Sequence, residues 1–424
     1  ATVILVGPRR TAESASPTRS TVFDLAPLDQ PATHRLIEDQ LGVGPEERAA
    51  EVQRIAQRCE GYPWFAVLLA QALRRDPKAL GEVTGELDAA RLAITGPRGD
   101  FGNNRQAWRQ EADRRFIALF AILLTEGIDW KRLDPNLEDR LGRALGIGWQ
   151  EVKAAAKVCH ERGIVRVRGD WRYKYVTPSI LGRSVANHLL RQPSSKGAAI
   201  REHVPELRAN LYRRLDALQV DAGILSELAE GELDAVESLQ ALEQLATGPP
   251  GGTLHFDARH QPAAAARTIR KLVEAASLDE LRANTAIRRE LVFALEHVCR
   301  RREGFEDAEA TLFRLAVAEN ETYGNNATGV WSNLFFVVLS LTHRSFDSRL
   351  DILRSRLFSD DHQSRILALK GLGRAISGEQ VGPGYTDVDK ADGPWPTPKG
   401  AEALEGKRRA WELVAELIPD SDPS

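Results

Sequence analysis

The chain has 424 residues, 42% apolar and 28% charged, with a formal net charge of -3. This is the balance of a soluble globular protein, and its length suits about three domains of roughly 150 residues each. It excludes a global basic field that would draw nucleic acid or an anionic membrane, and no apolar stretch approaches the ~18 residues of a transmembrane helix.

Cysteine is sparse. Cys59, Cys159 and Cys299 lie far apart and no CxxC occurs. A disulfide scaffold and a thiolate zinc site are therefore excluded, and free thiols fit a reducing, cytoplasmic setting. Ala1 to Arg10 carries no cleavage pattern and does not read as a signal peptide. Methionine is absent, where about eight are expected at a usage of roughly 2%. Either the chain is a processed or truncated one, or a modified methionine has dropped out of the written sequence; the second reading is preferred.

The chain opens on an almost continuous apolar run, Ala1 to Val6, closed by Gly7-Pro8. That pattern suits a fully buried parallel strand. Its partner strands are expected upstream, so the chain reads as the back part of a longer protein. Residues 11–21 are rich in Ser, Thr and Pro and read as loop. Helical spacing begins at Pro31, with Ala32, Leu36 and Ile37, and Gly42 closes it. Ala49 to Cys59 predicts a second helix, ended by Gly61. Pro63 suits the first turn of a third, apolar helix from Trp64 to Leu73.

Residues 96–107 are rich in Gly and Asn and read as a hinge. Helices are predicted at Arg115 to Thr125, Leu137 to Leu145 and Trp149 to Arg162. Two alternating runs follow, Ile164 to Arg168 and Trp171 to Val176, with Gly169-Asp170 as the turn between them. Three helices and a hairpin in this order predict a winged helix. Beyond Gln192 nearly everything reads as helix, with apolar residues at i, i+4 and i+7. Ile287, Leu291, Leu295 and Val298 form one such stripe. Val330 to Leu341 is apolar on almost every face and predicts one fully buried helix. Consecutive helices with short loops suggest an α-solenoid-like array. The loop from Gly378 to Lys399, rich in Gly, Pro and Asp, reads as an exposed insertion.

The first 190 residues resemble the second half of a STAND-type P-loop NTPase (the NB-ARC and NACHT class), which includes many bacterial defence proteins. Three places carry the resemblance. Val3 to Val6 with Gly7-Pro8-Arg9 is similar to the sensor strand and its arginine. Phe23-Asp24-Leu25-Ala26-Pro27-Leu28 resembles the segment leading into the small helical domain. Cys59-Glu60-Gly61-Tyr62-Pro63 resembles the C-x-G-x-P motif, whose proline packs on adenine. The resemblance implies a mostly α chain with the remnant of an α/β NTPase strand. Its parts are sensor strand and loop at 1–23, small helical domain at 24–95, winged helix at 108–192 and helical-repeat sensor at 193–419. It also implies ATP or ADP with Mg²⁺ as cofactor, Arg9 as sensor arginine, and Gly61, Tyr62 and Pro63 as nucleotide-binding residues. Walker A, GxxxxGK[ST], and Walker B are absent from these 424 residues. Whether the protein is an enzyme is left open, and the chain is not expected to hydrolyse ATP alone. Where the family's winged helix often carries a histidine, this chain has Thr177.

Other residues carry weaker signals. Cys159 lies on the apolar stripe of its helix and reads as an inert buried thiol. His255 and His260 flank Asp257 without a further ligand, and no metal is expected. The hairpin is basic through Arg166, Arg168, Arg172 and Lys174. The helix before it offers Gln150, Glu151, Lys153, Lys157 and His160 rather than a base-reading set, so DNA is not an expected partner. Arg300-Arg301-Arg302 reads as a basic helix C-terminus, favourable to the helix dipole. Tyr385 and Trp395, on the Gly/Pro loop, are the candidate trigger-binding anchors. The expected function is the regulatory, trigger-sensing part of a signalling ATPase in antiphage defence, with a protein trigger, no membrane, and homo-oligomerisation on activation. A winged-helix DNA-binding regulator is the alternative, and a non-enzymatic helical scaffold the third reading.

Overall fold

The structure is a computed structural model that describes residues 28–44, 49–59, 61, 63–75, 86–96, 104–191, 196–247, 252–322, 325–338, 340, 342–377, 392–393, 395–396 and 398–418. The expected strand at Val3 to Val6, with Arg9, Tyr62 and Tyr385, lies outside them. Among the described residues the chain is mostly helical and has a single two-stranded sheet. No helix among them is long and apolar enough to cross a membrane.

The helices in chain order begin with α1 (Gln30–Leu41), α2 (Ala49–Cys59), α3 (Pro63–Arg75), α4 (Glu86–Thr95), α5 (Arg105–Leu124), α6 (Pro135–Leu145) and α7 (Trp149–Glu161). The hairpin β1 (Val165–Arg168) and β2 (Tyr173–Val176) comes next, then α8 (Ser179–Leu190), α9 (Lys196–His203), α10 (Arg208–Leu218), α11 (Ala222–Ala229) and α12 (Leu239–Thr247). The chain continues with α13 (Leu254–His260), α14 (Pro262–Ala275), α15 (Leu278–Ala283), α16 (Thr285–Cys299) and α17 (Phe305–Val317). It ends on α18 (Ala327–Asn333), α19 (Phe346–Leu357), α20 (His362–Ser377) and α21 (Ala401–Leu417). Two compact units divide them, one drawn from Ala1–Ile122 and Gln150–His188, the other from Leu123–Trp149 and Leu189–Ser424.

In the first unit, local chemistry sets the helix ends. The Asp29 side chain accepts the Ala32 N–H at 2.8 Å, and Gly42 at φ 69° closes α1 in the left-handed region. These are the two ordinary devices for satisfying orphan groups at helix ends. α1 packs on α2 and α3, and α3 packs on α4. Ile37, Val52, Ile55, Phe65, Leu69 and Leu73 are buried there. α5 begins ten residues before the expected Arg115, because the Asn104 side chain caps it by accepting the Ala107 N–H at 2.9 Å.

The hairpin departs from the sequence reading in two ways. Gly169, Asp170 and Trp171 all have positive φ, and β2 starts at Tyr173, so the connection has four residues. The register pairs Arg166 with Tyr175 and Arg168 with Tyr173. Directly opposed residues share a face. Val165, Val167, Lys174 and Val176 therefore turn inward. Lys174 is buried and its Nζ donates to the Trp171 carbonyl at 2.7 Å, so it does not belong to the exposed basic set.

The second unit is all helical among its described residues. Its main helix contacts link partners at most four places apart in chain order. α6 packs on α9, α13 on α14 and α16, α14 on α17, α17 on α18, and α20 on α18, α19 and α21. One apolar core runs from Leu233 to Leu413. The expected single helix from Val330 to Leu341 is not formed. α18 stops at Asn333, and Leu334 to Val337 continue as buried, non-helical chain. Arg349 explains how that stretch is tolerated. Its buried guanidinium donates to the carbonyls of Leu334 at 2.5 Å and Phe336 at 2.7 Å, supplying donors that a continuing helix would have supplied.

Candidate functional site

The C-x-G-x-P segment is the turn between α2 and α3. Cys59 is buried, and its thiol donates to the Ala56 carbonyl at 3.4 Å. Gly61 takes φ 74°, which reverses the chain, and Pro63 sits exposed at the first position of α3. The Gly61 carbonyl accepts the Leu28 N–H at 2.8 Å. Leu28 is the last residue of another segment that carries the family resemblance, and the bond brings it to Gly61. Arg9 and Tyr62 fall outside the described residues.

A pocket of about 360 Å³ opens between α3, α4 and the end of α7. Leu68 and Leu92 form apolar wall, while Gln71, His160 and Arg162 bring polar groups to it. His160 Nδ1 lies 2.8 Å from the Val165 carbonyl. A carbonyl only accepts, so Nδ1 is the donor of this bond. The pocket thus mixes polar groups with a small apolar wall. It holds no nucleophile. Cys159, on the adjoining helix, is fully buried, and burial pushes its thiol up to about 12.

Gly96 shapes one side of this pocket. Its φ is 79°, and a Cβ there would stand 2.9 Å from Arg162 Nη2. Its carbonyl accepts the Trp108 indole N–H at 3.0 Å. Gly96→Ala is expected to lower stability by about 1–2 kcal/mol through left-handed strain. The Arg162 head must also shift. Urea unfolding of G96A alone and with Arg162→Ala separates the two: the second change should return only the steric part.

Trp395, a candidate trigger anchor, is half-buried, and its indole N–H donates to the Arg300 carbonyl at 2.9 Å. Beside it, Asp392 receives Arg301 in a two-pronged ion pair, 3.0 Å at each oxygen, and accepts the Arg302 N–H at 2.7 Å. Burial pulls the Asp392 carboxyl upward, but Arg301 and the Arg302 N–H hold it below its usual range. The basic helix end at Arg300 to Arg302 is therefore the anchorage of Asp392 and Trp395, a role that the sequence reading did not give it. Tyr385 lies outside the described residues.

His255, Asp257 and His260 do not converge. His255 Nε2 meets Glu290 at 2.8 Å and His260 Nε2 meets Asp216 at 2.7 Å. Among the described residues no group of three or more His, Cys, Asp or Glu is placed to hold a metal. Asp257 is fully buried, and burial, then the Glu232 charge, raises its carboxyl well above the usual range. A carboxyl raised in the folded state stabilises below its unfolded value and loses that contribution as pH rises through the folded one. Asp257→Asn should therefore stabilise the protein at neutral pH by about 1–3 kcal/mol. The gain should vanish toward pH 4; melting temperatures across pH 4–8 that run parallel for both proteins contradict this assignment.

No family model, curated protein or solved structure matches the chain.

Proposed function

We propose that the chain is the regulatory, trigger-sensing part of a STAND-type nucleotide-dependent signalling ATPase, acting in bacterial antiphage defence. The observation that carries the reading is the hydrogen bond from Leu28 to Gly61. It joins Leu28, the last residue of one family-like segment, to Gly61 of another, beside Pro63, which is exposed at the head of α3. On this reading that surface faces the base of ATP or ADP, with Mg²⁺ and the phosphates held by residues that these 424 do not contain, and Arg9 reaches the γ-phosphate. On this reading the pocket between α3, α4 and α7 is lined by residues assigned to the small helical domain and to the winged helix. Local packing of successive helices in the second unit suits an array that recognises a protein trigger and releases oligomerisation.

The reading is tested by the encoding gene and then by the protein it specifies. It requires a Walker A loop and a Walker B strand upstream of Ala1. Their presence, with ATP turnover by the whole product that falls on Arg9→Ala, supports it. An upstream sequence with neither motif overturns it.

A further inference from the structure

We infer that the outer face of the β1–β2 hairpin is a contact surface for the phosphodiester backbone of nucleic acid, independent of base sequence. The inference stands on the hairpin itself and does not rest on the ATPase reading.

The register puts Arg166, Arg168, Tyr173 and Tyr175 on one face, with Arg172 at its end. Arg166, Arg168 and Arg172 are all exposed, and none pairs with a carboxylate among the described residues. This sets them apart from other arginines of the chain, such as Arg91, Arg115, Arg301 and Arg408, which are held by Asp or Glu. The Arg168 guanidinium lies 5.5 Å from the centre of the Tyr175 ring, which props it in place. The net charge of -3 belongs to the whole chain. From Trp149 to Val176 there are seven lysines and arginines against three carboxylates.

Three exposed guanidiniums without a carboxylate partner among the described residues select a polyanion. Arg166 and Arg168 stand two residues apart on a strand, roughly 6.6 Å, a spacing that suits successive phosphates and an extended peptide alike. One feature favours nucleic acid over an acidic polypeptide. The half-buried Tyr173 and Tyr175 rings interleave with them, and rings among backbone-binding cations are the pattern that accepts stacked bases. The face carries no Asn or Gln to read adenine and no carboxylate to read cytosine, and arginines on a short hairpin edge suit phosphate, so the contact is assigned to the backbone and carries no sequence preference.

The test is fluorescence anisotropy of the full chain with labelled 20-nucleotide duplex and single-stranded DNA of two unrelated sequences. Three phosphate contacts predict a slope of log affinity on log salt near -2.7 for duplex, about 40-fold weakening from 50 to 200 mM NaCl. Replacing Arg166, Arg168 and Arg172 together by Ser should weaken binding at least tenfold at 50 mM salt and flatten the slope. The far-ultraviolet circular dichroism should stay unchanged, because all three side chains are exposed. Lys370→Ser, an exposed cation of the second unit, should change neither quantity. The proposal is overturned by absence of binding at 50 mM salt, by equal binding of the triple variant, or by poly-glutamate displacing the DNA at equal charge concentration. The last result would assign the face to an acidic protein.

Discussion

Trp331→Ala should destabilise the second unit by about 3–5 kcal/mol, the ordinary cost of an aromatic cavity. The side chain is fully buried, with the rings of Phe313 and Phe335 at 5.0 and 4.7 Å between centres. Gly371 packs directly on it, since a Cβ there would lie 3.2 Å from the indole. A second loss adds to the cavity. The indole N–H donates to Glu309 Oε1 at 2.7 Å, and Glu309 is itself buried. Burial raises the Glu309 carboxyl, and the Trp331 bond and Arg356 oppose that rise. Removing the indole leaves a buried carboxylate short of a donor, worth about 1–3 kcal/mol more. Trp331→Phe isolates this second part, since it keeps most of the ring volume. Urea unfolding of W331F, Glu309→Gln and the double variant should show coupling of about 0.5–3 kcal/mol. Additive effects would mean that the pair contributes nothing beyond packing.

The helices of the first unit were legible because their ends carry their own chemistry. Gly42, Gly61 and Pro63 mark boundaries by left-handed backbone and fixed φ, which are properties of single residues, whereas the Asp29 cap was not read. α4 was missed. Its apolar residues Leu87, Ala89, Ala90, Leu92, Ala93 and Ile94 are mostly small and nearly continuous, so no clear 3.6-residue contrast stood out. The start of α5 was hidden for a related reason: Asn104 looked like loop composition although it works as a cap. In the hairpin, alternation alone could not tell which face of β2 is buried. That depends on the pairing across to β1, and a tyrosine face and a lysine face alternate equally well.

The candidate sites follow the same division. The turn at Gly61 was readable because glycine before proline fixes a reversal locally. The partner of its carbonyl, Leu28, is a tertiary fact. So is the pocket beside Gly96, which draws residues from α3, α4 and α7 that no local spacing connects. Arg300 to Arg302 looked like a solvated helix end because the group that neutralises Arg301, Asp392, is far away in the chain. The isolated arginines of the hairpin are the converse case. The sequence showed the hairpin to be basic, but that these three have no carboxylate partner among the described residues is a property of the folded surface.

Arg349 separates two opposing effects, and Arg349→Ala should cost about 2–4 kcal/mol because the loss outweighs the gain. The gain comes from removing a buried charge. Arg349 has no carboxylate partner among the described residues, and burial lowers its guanidinium to about 10. It is still protonated at neutral pH. A cation lowered in the folded state makes stability rise with pH only between its folded value and 12.5, so between pH 6 and 8 its cost is constant. The loss is larger. Without the guanidinium, the carbonyls of Leu334 and Phe336 face the core where α18 has already ended, each leaving an unsatisfied acceptor worth about 1–3 kcal/mol. The aliphatic stem and its packing over Phe346, 5.2 Å from the ring centre, go with it. Arg349→Met keeps the stem and should recover part of the stability; Arg349→Lys keeps the charge but offers one head where two separated carbonyls need donors. Denaturant unfolding should therefore rank the wild type above both, with alanine lowest. If R349M equals or exceeds the wild type, desolvation of the charge outweighs the two carbonyl bonds, and the non-helical stretch after Asn333 is held by packing of Phe335 and Phe336 instead.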